Sequence, residues 1–568
     1  MSLGGLLTLA SVLLAVVALT PPVGRLIYAA MEGQPTPLTR FLGPLERAIY
    51  RVAGIDPAKE QGWQTYAVSL GVFTFASIAL LYLLQRVQGV LPLNPTGAGP
   101  VSPALAFNTA VSFATTTDWQ NYAGETGVSQ LTQMAGLTVQ NFVAAAAGLA
   151  AAVAVARALG SQRTRIGNFW VDLVRATLYV LLPLSVLAAF FAVAQGVPQT
   201  LAGPHTFTTL QGASQTVITG PMASQDVIKI LGSNGGGYLN ANGAHPYLNP
   251  TALSNWMDLL LNLLVPFALT YTFGRYVRDA RQGWALFAVM GTLLVAASLA
   301  SMQLEGAGNP LLPASVNQAA GNMEGKEVRF GAEVGGLSAA QMAATTTGAP
   351  PATYASLIPA TGGVAMALML TGEVAPGGVG SGLTGILVYV LLAVFLAGLM
   401  VGRTPEYLGK KVESFEIQMT LLAVLVPTIA VLGLVALSVS VPAGQAGPAS
   451  APPHGFSEVL YAFASMAGNN GSSFSSLSGN TPYYNLVGAA AMLAGRFGHL
   501  IPMLALAGSM GPKRQVARSL GTLPTGSGLF AGFLTGTIVI VGALSYFAAL
   551  ALGPIAEQLA LLAGHTLS

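Results

Sequence analysis

Thr115-Thr116-Thr117-Asp118, Gly232-Ser233-Asn234-Gly235, Thr345-Thr346-Thr347-Gly348 and Gly468-Asn469-Asn470-Gly471 are four variants of one short phrase. Each ends in a residue that tolerates positive φ, Gly three times and Asp once, after small hydroxyl or amide residues that leave backbone carbonyls uncovered. The fourth positions recur at intervals of roughly 120 residues, so one module has been written four times. Four such turns around one axis make a pseudo-fourfold ring of carbonyl oxygens, which can replace the hydration shell of a monovalent cation. A single Gly after a helix is usually only a C-cap. Four at one spacing ask for more than capping.

The rest of the chain is built to hold such a ring in a bilayer. It has 568 residues, of which 53% are hydrophobic and 8% charged, and a mean hydropathy of +0.63. These charges are too few to solvate a globule of this size, so an integral membrane protein is expected. Apolar segments of spanning length lie at 3–20 and at roughly 65–87, 127–156, 169–195, 251–273, 284–304, 361–402 with a break, 416–440, 483–509 and 527–553. At about 20 residues per crossing, that is about ten spans. The fold class is therefore an all-α polytopic membrane protein with four pseudo-repeated helix, pore-loop, helix units. The expected division is an N-terminal helix and cytoplasmic loop (1–62), pore units at 63–160, 161–275, 276–405 and 406–512, and a C-terminal helix (513–568). The first span has no basic residue before it and Arg25 after it, which fits an anchor helix with its N-terminus outside. Ala18-Leu19-Thr20 before Pro21 leaves signal cleavage as the other reading.

Between the members of four span pairs lie segments of about 10 to 13 residues, too short to cross. They open on helix-start signals, Ser102-Pro103, Pro221, Ser338 and Ser457-Glu458, and run into the four stretches. A half-helix that enters the membrane and returns as extended backbone is tolerated only when buried in protein or lining a watery cavity. Its C-terminal end carries about half a negative charge, which favours a cation on the axis. The basic residues fall between the pairs: Arg40, Arg47, Arg51, Lys59; Arg157, Arg163, Arg165, Arg175; Arg275, Arg278, Arg281; Arg403, Lys410, Lys411; and Lys513, Arg514, Arg518. The positive-inside rule makes these groups cytoplasmic, the ring open to the outside and both termini external. The long outer connections, 198–221 and 305–335, read as loops or as a solvated cap.

Glu373 and the run Pro376-Gly377-Gly378-Val379-Gly380-Ser381-Gly382 interrupt the second span of unit three. An unwound segment at this depth suggests a gate or a branch beneath the ring. Arg496, inside the second span of unit four, is an intramembrane charge and a candidate partner of Glu373 or of the carbonyls of the break, unless it snorkels to the interface. Asp118 either attracts cations or accepts local backbone hydrogen bonds. With no Cys and 5 scattered His there is no thiolate or clustered metal site. No G-x-x-x-x-G-K-[ST] phosphate loop occurs, so no nucleotide is expected on this chain, and the basic groups do not form an aromatic-studded surface for nucleic acid.

Six strings carry a family resemblance: Asn108-Thr109-Ala110-Val111-Ser112-Phe113, Trp119-Gln120-Asn121-Tyr122, Asn234-Gly235-Gly236-Gly237, Asn322-Met323-Glu324-Gly325-Lys326-Glu327, the run from Gly402-Arg403-Thr404-Pro405 through Glu406-Tyr407-Leu408-Gly409-Lys410-Lys411, and Pro453-His454-Gly455-Phe456-Ser457-Glu458-Val459-Leu460. Across nearly its whole length the chain resembles the bacterial potassium-binding subunits of potassium-transporting ATPases, the KdpA family. The resemblance implies a K⁺ channel-like arrangement of the four units and a non-catalytic, K⁺-selecting subunit in the bacterial inner membrane. Such a subunit passes K⁺ to a P-type ATPase subunit, KdpB, in a complex with KdpC and the small peptide KdpF. It implies filter roles for Thr116, Thr117 and Asp118, for Ser233, Asn234 and Gly235, for Thr346, Thr347 and Gly348, and for Asn469, Asn470 and Gly471. It also implies that Gln120 lies near the filter entrance and influences ion selection. The first filter often reads Thr-Asn-Thr-Asn in that family and the third often carries Ser-Cys-Gly, so Thr116, Asp118, Thr346 and Thr347 depart from the pattern while keeping small polar character. The alternative of the same plan is a passive or gradient-driven K⁺ transporter of the Trk, Ktr and HKT type.

The orientation is testable on a chain without native Cys. Single cysteines at Arg163 and Arg278 are expected to resist outside-only thiol reagents and those at Thr206 and Gly325 to react. The opposite labelling pattern inverts the topology.

Overall fold

The computed structural model describes residues 1–313, 315–400, 402, 404–516 and 523–565; Arg403 and Arg518, two of the basic residues singled out above, lie outside the described residues. In chain order the principal helices are α1 (Leu3–Met31), α2 (Pro37–Ala53), α3 (Trp63–Val90), α4 (Pro103–Ala114), α5 (Thr132–Gly160), α6 (Phe169–Ala194), α7 (Met222–Leu231) and α8 (Ala252–Tyr276). They continue as α9 (Ala280–Gly306), α10 (Gly331–Ala344), α11 (Pro359–Leu370), α12 (Ser381–Met400), α13 (Ser414–Ser440), α14 (His454–Gly468), α15 (Pro482–Met510) and α16 (Gly528–Leu562). Among the described residues ten of these are long and apolar enough to cross a membrane. The chain is a mostly helical, multi-pass membrane protein.

Burial sorts the spans into two layers. The spans that precede the half-helices are mostly exposed: α3 is 33% buried, α6 44%, α9 39% and α13 28%. Their partners after the half-helices are mostly buried: α5 is 83%, α8 78%, α12 67% and α15 61%. The inner helices α8 and α15 also have the lowest mean hydropathy, 1.4, because Asn255, Asp258 and Asn262 on one and Arg496 on the other face protein rather than lipid. In α5 the buried run is Ala and Gly from Ala144 to Ala147, then Gly148 and Ala150 to Ala152, small side chains that let neighbouring backbones approach. The half-helices α4, α7, α10 and α14 sit inside this inner ring, with nearly every residue buried.

Four details differ from expectation. The first helix does not stop at Thr20 but continues through Pro21 and Pro22 to Met31, because Val23, Ile27 and Ala30 carry its buried face onward at helical spacing. The third half-helix begins at Gly331 rather than Ser338, which shortens the outer connection before it. Glu333 in its first turn accepts Ser2 N at 2.8 Å and complements the positive helix end. The fourth begins at His454, directly after Pro453, rather than at Ser457. The connection 198–221 contains an exposed antiparallel hairpin, β1 (His205–Thr208) with β2 (Ser214–Val217).

Lys410, one of the basic residues counted toward the topology, is not a surface charge. It is fully buried, and its ammonium donates to Ala158 O (3.0 Å), Ser161 O (2.5 Å), Met510 O (2.8 Å) and Gly511 O (3.3 Å). The C-terminal carbonyls of the inner helices α5 and α15 thus share one cation, which answers both dipole ends at once. Burial, with Lys513 nearby, pushes this ammonium down to about 8.

Candidate ion-binding site

Each half-helix ends in the same unusual backbone. Thr116 (φ 66°), Ser233 (53°), Thr346 (60°) and Asn469 (61°), the second residue of each stretch, are left-handed, as are Asp118 (55°), Gly348 (60°) and Gly471 (88°) at the fourth. In the second stretch it is Gly236 (34°), not Gly235, that takes the positive φ, one residue later than expected. Successive residues of an ordinary strand face opposite sides. Reversing φ at alternate residues undoes that alternation and lets neighbouring carbonyls face one way. β-Branched residues rarely accept positive φ, and two of the four second positions are Thr, so the surroundings must hold them there. This was the feature missed in the sequence, where nothing about Thr116 or Thr346 signals a left-handed conformation.

The holding contacts close a ring. Gly237 N donates to Gln120 Oε1 at 2.8 Å, joining the first loop to the second. Thr346 Oγ1 donates to Ser233 O at 2.9 Å, joining third to second. Asn470 Nδ2 donates to Met342 O and Ala343 O at 3.3 Å, joining fourth to third, and Asn469 Nδ2 donates to Thr117 Oγ1 at 2.8 Å, joining fourth to first. At the centre there is no room for further side chains. A Cβ on Gly235 would lie 2.6 Å from Thr117 O and 2.8 Å from Asn470 O, and one on Gly348 3.0 Å from Asn470 O. A Cβ on Gly471 would collide with Thr117 O.

Behind the loops, amides on the inner helices anchor them. Asn262 Oδ1 of α8 accepts from Thr345 Oγ1 at 2.7 Å and from Thr347 Oγ1, and Asn141 Nδ2 of α5 donates to Asp118 Oδ2 at 2.5 Å. The other Asp118 oxygen is buried without a hydrogen bond. So the carboxyl group accepts locally from Asn141, with Asn234 beside it, and Asp118 and Gln120 both line a cavity of about 230 Å³. Asn234 is buried, and neither of its amide atoms is hydrogen-bonded. Gly232 and Gly468 are the last turns of their half-helices; a Cβ on Gly468 would lie 3.1 Å from Glu373 Oε1.

Below the ring the break in unit three, residues 371–380 between α11 and α12, folds back against it. Gly377 N donates to Ala344 O at 2.9 Å, Gly378 lies against Thr346 Oγ1, and Gly380 (φ 96°) lies against Gly148 of α5. Gly382 packs on Pro376, which closes the turn. Glu373 (φ 50°) accepts from Asn470 Nδ2 at 3.1 Å. Arg496 is buried, so it does not snorkel, and it pairs with neither Glu373 nor the carbonyls of the break. Its guanidinium donates to Thr116 Oγ1 at 3.0 Å and to Ala144 O at 3.2 Å, so it grips the first loop instead. Glu373 and Arg496 line a shared cavity of about 100 Å³, which extends past Tyr389, Pro427 and Tyr546 toward α13 and α16. The residues expected to gate therefore do come together directly beneath the four loops.

Residues 10–559 match the family model of the potassium-transporting ATPase A subunit, KdpA. The chain belongs to the KdpA family. It is 52% identical over 561 residues to the "Potassium-transporting ATPase potassium-binding subunit" of Paramagnetospirillum magneticum, covering 99% of each chain. It is 49% identical over 566 residues to the protein of the same name from Granulibacter bethesdensis, covering 99% of this chain and 100% of that one. Among solved structures it is similar to the potassium transporter TrkH from Vibrio parahaemolyticus, at 15% identity and a TM-score of 0.49 over 76% of this chain and 83% of that one.

In this KdpA-family chain the tightness at the centre makes a direct prediction. Gly471→Ala adds a Cβ at positive φ against the Thr117 carbonyl and is expected to destabilise the protein by about 2 to 3 kcal/mol. Gly433→Ala, on an open face of α13 with nothing within 4 Å, is the control and leaves thermal unfolding unchanged. Equal melting of the two variants removes the close approach at residue 471.

Proposed function

We propose that this chain is the K⁺-binding and K⁺-selecting subunit of an ATP-driven, high-affinity K⁺ uptake complex. It takes K⁺ from the outer face of the bacterial cytoplasmic membrane and hands it to a P-type ATPase subunit, KdpB, with KdpC and the peptide KdpF completing the assembly. The pore units at 63–160, 161–275, 276–405 and 406–512 each supply one loop of the filter, and both termini lie outside. The observation that carries the reading is the meeting of four half-helix ends at one point. Thr117 O packs against Gly235 and Gly471, and Asn470 O packs against Gly235 and Gly348, so the first and fourth loops touch the second, and the fourth touches the third, through backbone alone. Four C-terminal dipole ends, each worth about half a negative charge, and a ring of carbonyls favour a dehydrated cation over water. The names of the relatives, potassium-binding subunits of a potassium-transporting ATPase, support K⁺ as that cation.

The chemistry of transport then divides between chains. A carbonyl ring open to one side only equilibrates ions, and accumulation against a gradient needs coupling to ATP. This chain carries no G-x-x-x-x-G-K-[ST] loop to supply it. Residues 371–380 and Arg496 lie across the way straight down, while the cavity beside Glu373 extends sideways, which favours exit toward a partner over passage through the chain. Gln120, bonded to Gly237 at the mouth, fixes the spacing of the first two loops and so bears on ion choice.

Reconstituted alone in vesicles, this subunit is expected neither to hydrolyse ATP nor to concentrate K⁺; with the P-type ATPase subunit and its companions added, both activities appear. Sustained, gradient-driven K⁺ flux through the lone chain contradicts the proposal and favours the passive transporter of Trk, Ktr and HKT type.

A further inference from the structure

Three arginines lie near the ends of α1 and α8. Arg25 of α1, Arg275 of α8 and Arg278 just after it make no ion pair among the described residues. Of the acids that share a cavity with Arg278, Glu32 is engaged with Arg157 (3.0 Å) and Tyr276 (2.9 Å), Asp172 with Arg157 (3.2 Å), Glu60 with Arg163 (3.7 Å) and Asp279 in capping Arg281 N (3.1 Å), while Glu406 lines a separate cavity together with Asp279. Two tyrosines hold the guanidinium groups. Arg25 donates to Tyr271 Oη at 3.3 Å and stands 6.0 Å from that ring, and Arg275 lies 5.2 Å from the centre of the Tyr28 ring. Tyr28, Tyr271, Arg275 and Arg278 line an open cavity of about 440 Å³.

What lies beside the cavity selects its occupant. At 100° per residue, Leu7, Leu14 and Arg25 fall on one stripe of α1, with Leu14 about 17 Å from Arg25 along the axis. Leu7 is 58% and Leu14 70% exposed, so the stripe is apolar and uncovered up to the point where it ends in the basic cavity. Trp284, 39% exposed one turn into α9, adds an aromatic at the same level. An occupant with a phosphate at one end and hydrocarbon along the stripe matches both halves; a free phosphate matches only the first. All three arginines are exposed, yet Arg25 and Arg275 fold over tyrosines beside the cavity instead of extending freely away from it.

We propose that Arg25, Tyr28, Tyr271, Arg275 and Arg278 form a binding site for the phosphate headgroup of an anionic phospholipid, its acyl chains lying along the exposed face of α1. Basic pockets between spans on the cytoplasmic side suit such headgroups, each arginine contributing about fivefold in affinity. The site is about 20 residues along α1 from the outer end and independent of the ion ring.

The test uses the transport complex as purified from the membrane, in detergent, with native mass spectrometry of retained lipid. Titration with dioleoyl phosphatidylglycerol is expected to load one tightly held molecule, phosphatidylcholine none, and inorganic phosphate not to displace it at equal concentration. Arg275→Gln with Arg278→Gln weakens retention about 25-fold, while Arg163→Gln, an exposed cytoplasmic control, leaves it unchanged. Thermal melting of each variant at the wild-type temperature excludes misfolding as the cause. Undiminished phosphatidylglycerol in the double variant overturns the site. So does displacement by inorganic phosphate, which makes it a free-anion site, or a crosslink from position 275 to a partner chain with no lipid retained.

Discussion

Backbone carbonyls at membrane depth must either be satisfied by the chain or be used to hold an ion, and the arrangement of this molecule follows from that constraint. Four half-helices each deliver a loop of such carbonyls to one place. No loop could hold its left-handed residues alone, since each costs of order 1 to 3 kcal/mol when the residue is not Gly. They are held by one another: Gln120 to Gly237, Thr346 to Ser233, Asn470 to Met342 and Ala343, and Asn469 to Thr117. Because the ring is closed by contacts between units far apart in sequence, it exists only when all four units have folded around it.

The inner helices serve this ring rather than the lipid. Asn141 and Asn262 are amides in apolar helices whose purpose is visible only from the loops they hold, Asp118 and the Thr345 to Thr347 hydroxyls. Symmetry stops below the ring. Among the described residues the second span of unit three is broken at 371–380 and unit four sets Arg496 against the first loop, so two different devices meet under the loops. Glu373 touches the fourth loop through Asn470 and Arg496 touches the first through Thr116, which places one acidic and one basic side chain against two different loops.

Much of this was legible before any coordinates. The spans and half-helices follow from hydrophobic run length, and the four stretches from their spacing, because both are local or periodic signals. Three things were not legible. The positive φ of Thr116, Ser233, Thr346 and Asn469 is imposed by neighbouring loops against residue preference. The partner of Arg496 depended on how α15 turns toward α5, so the obvious opposite charge, Glu373, was the wrong choice. Lys410 looked like one more cytoplasmic cation, yet two helix ends fold over it, a contact between residues some 100 and 250 positions apart. The early starts of α10 and α14 reflect a smaller ambiguity, since Gly331 and Pro453 are weak start signals beside Ser338 and Ser457.

The central claim is that an ion sits where the four loops meet. Replacing K⁺ by Tl⁺ or Rb⁺ in crystals of the complex and recording anomalous differences locates it directly. The account predicts a peak on the axis within coordination distance of Thr117 O and Asn470 O, lost when the heavy ion is exchanged for Na⁺. A map with no peak there, or with the same peak in Na⁺, contradicts it.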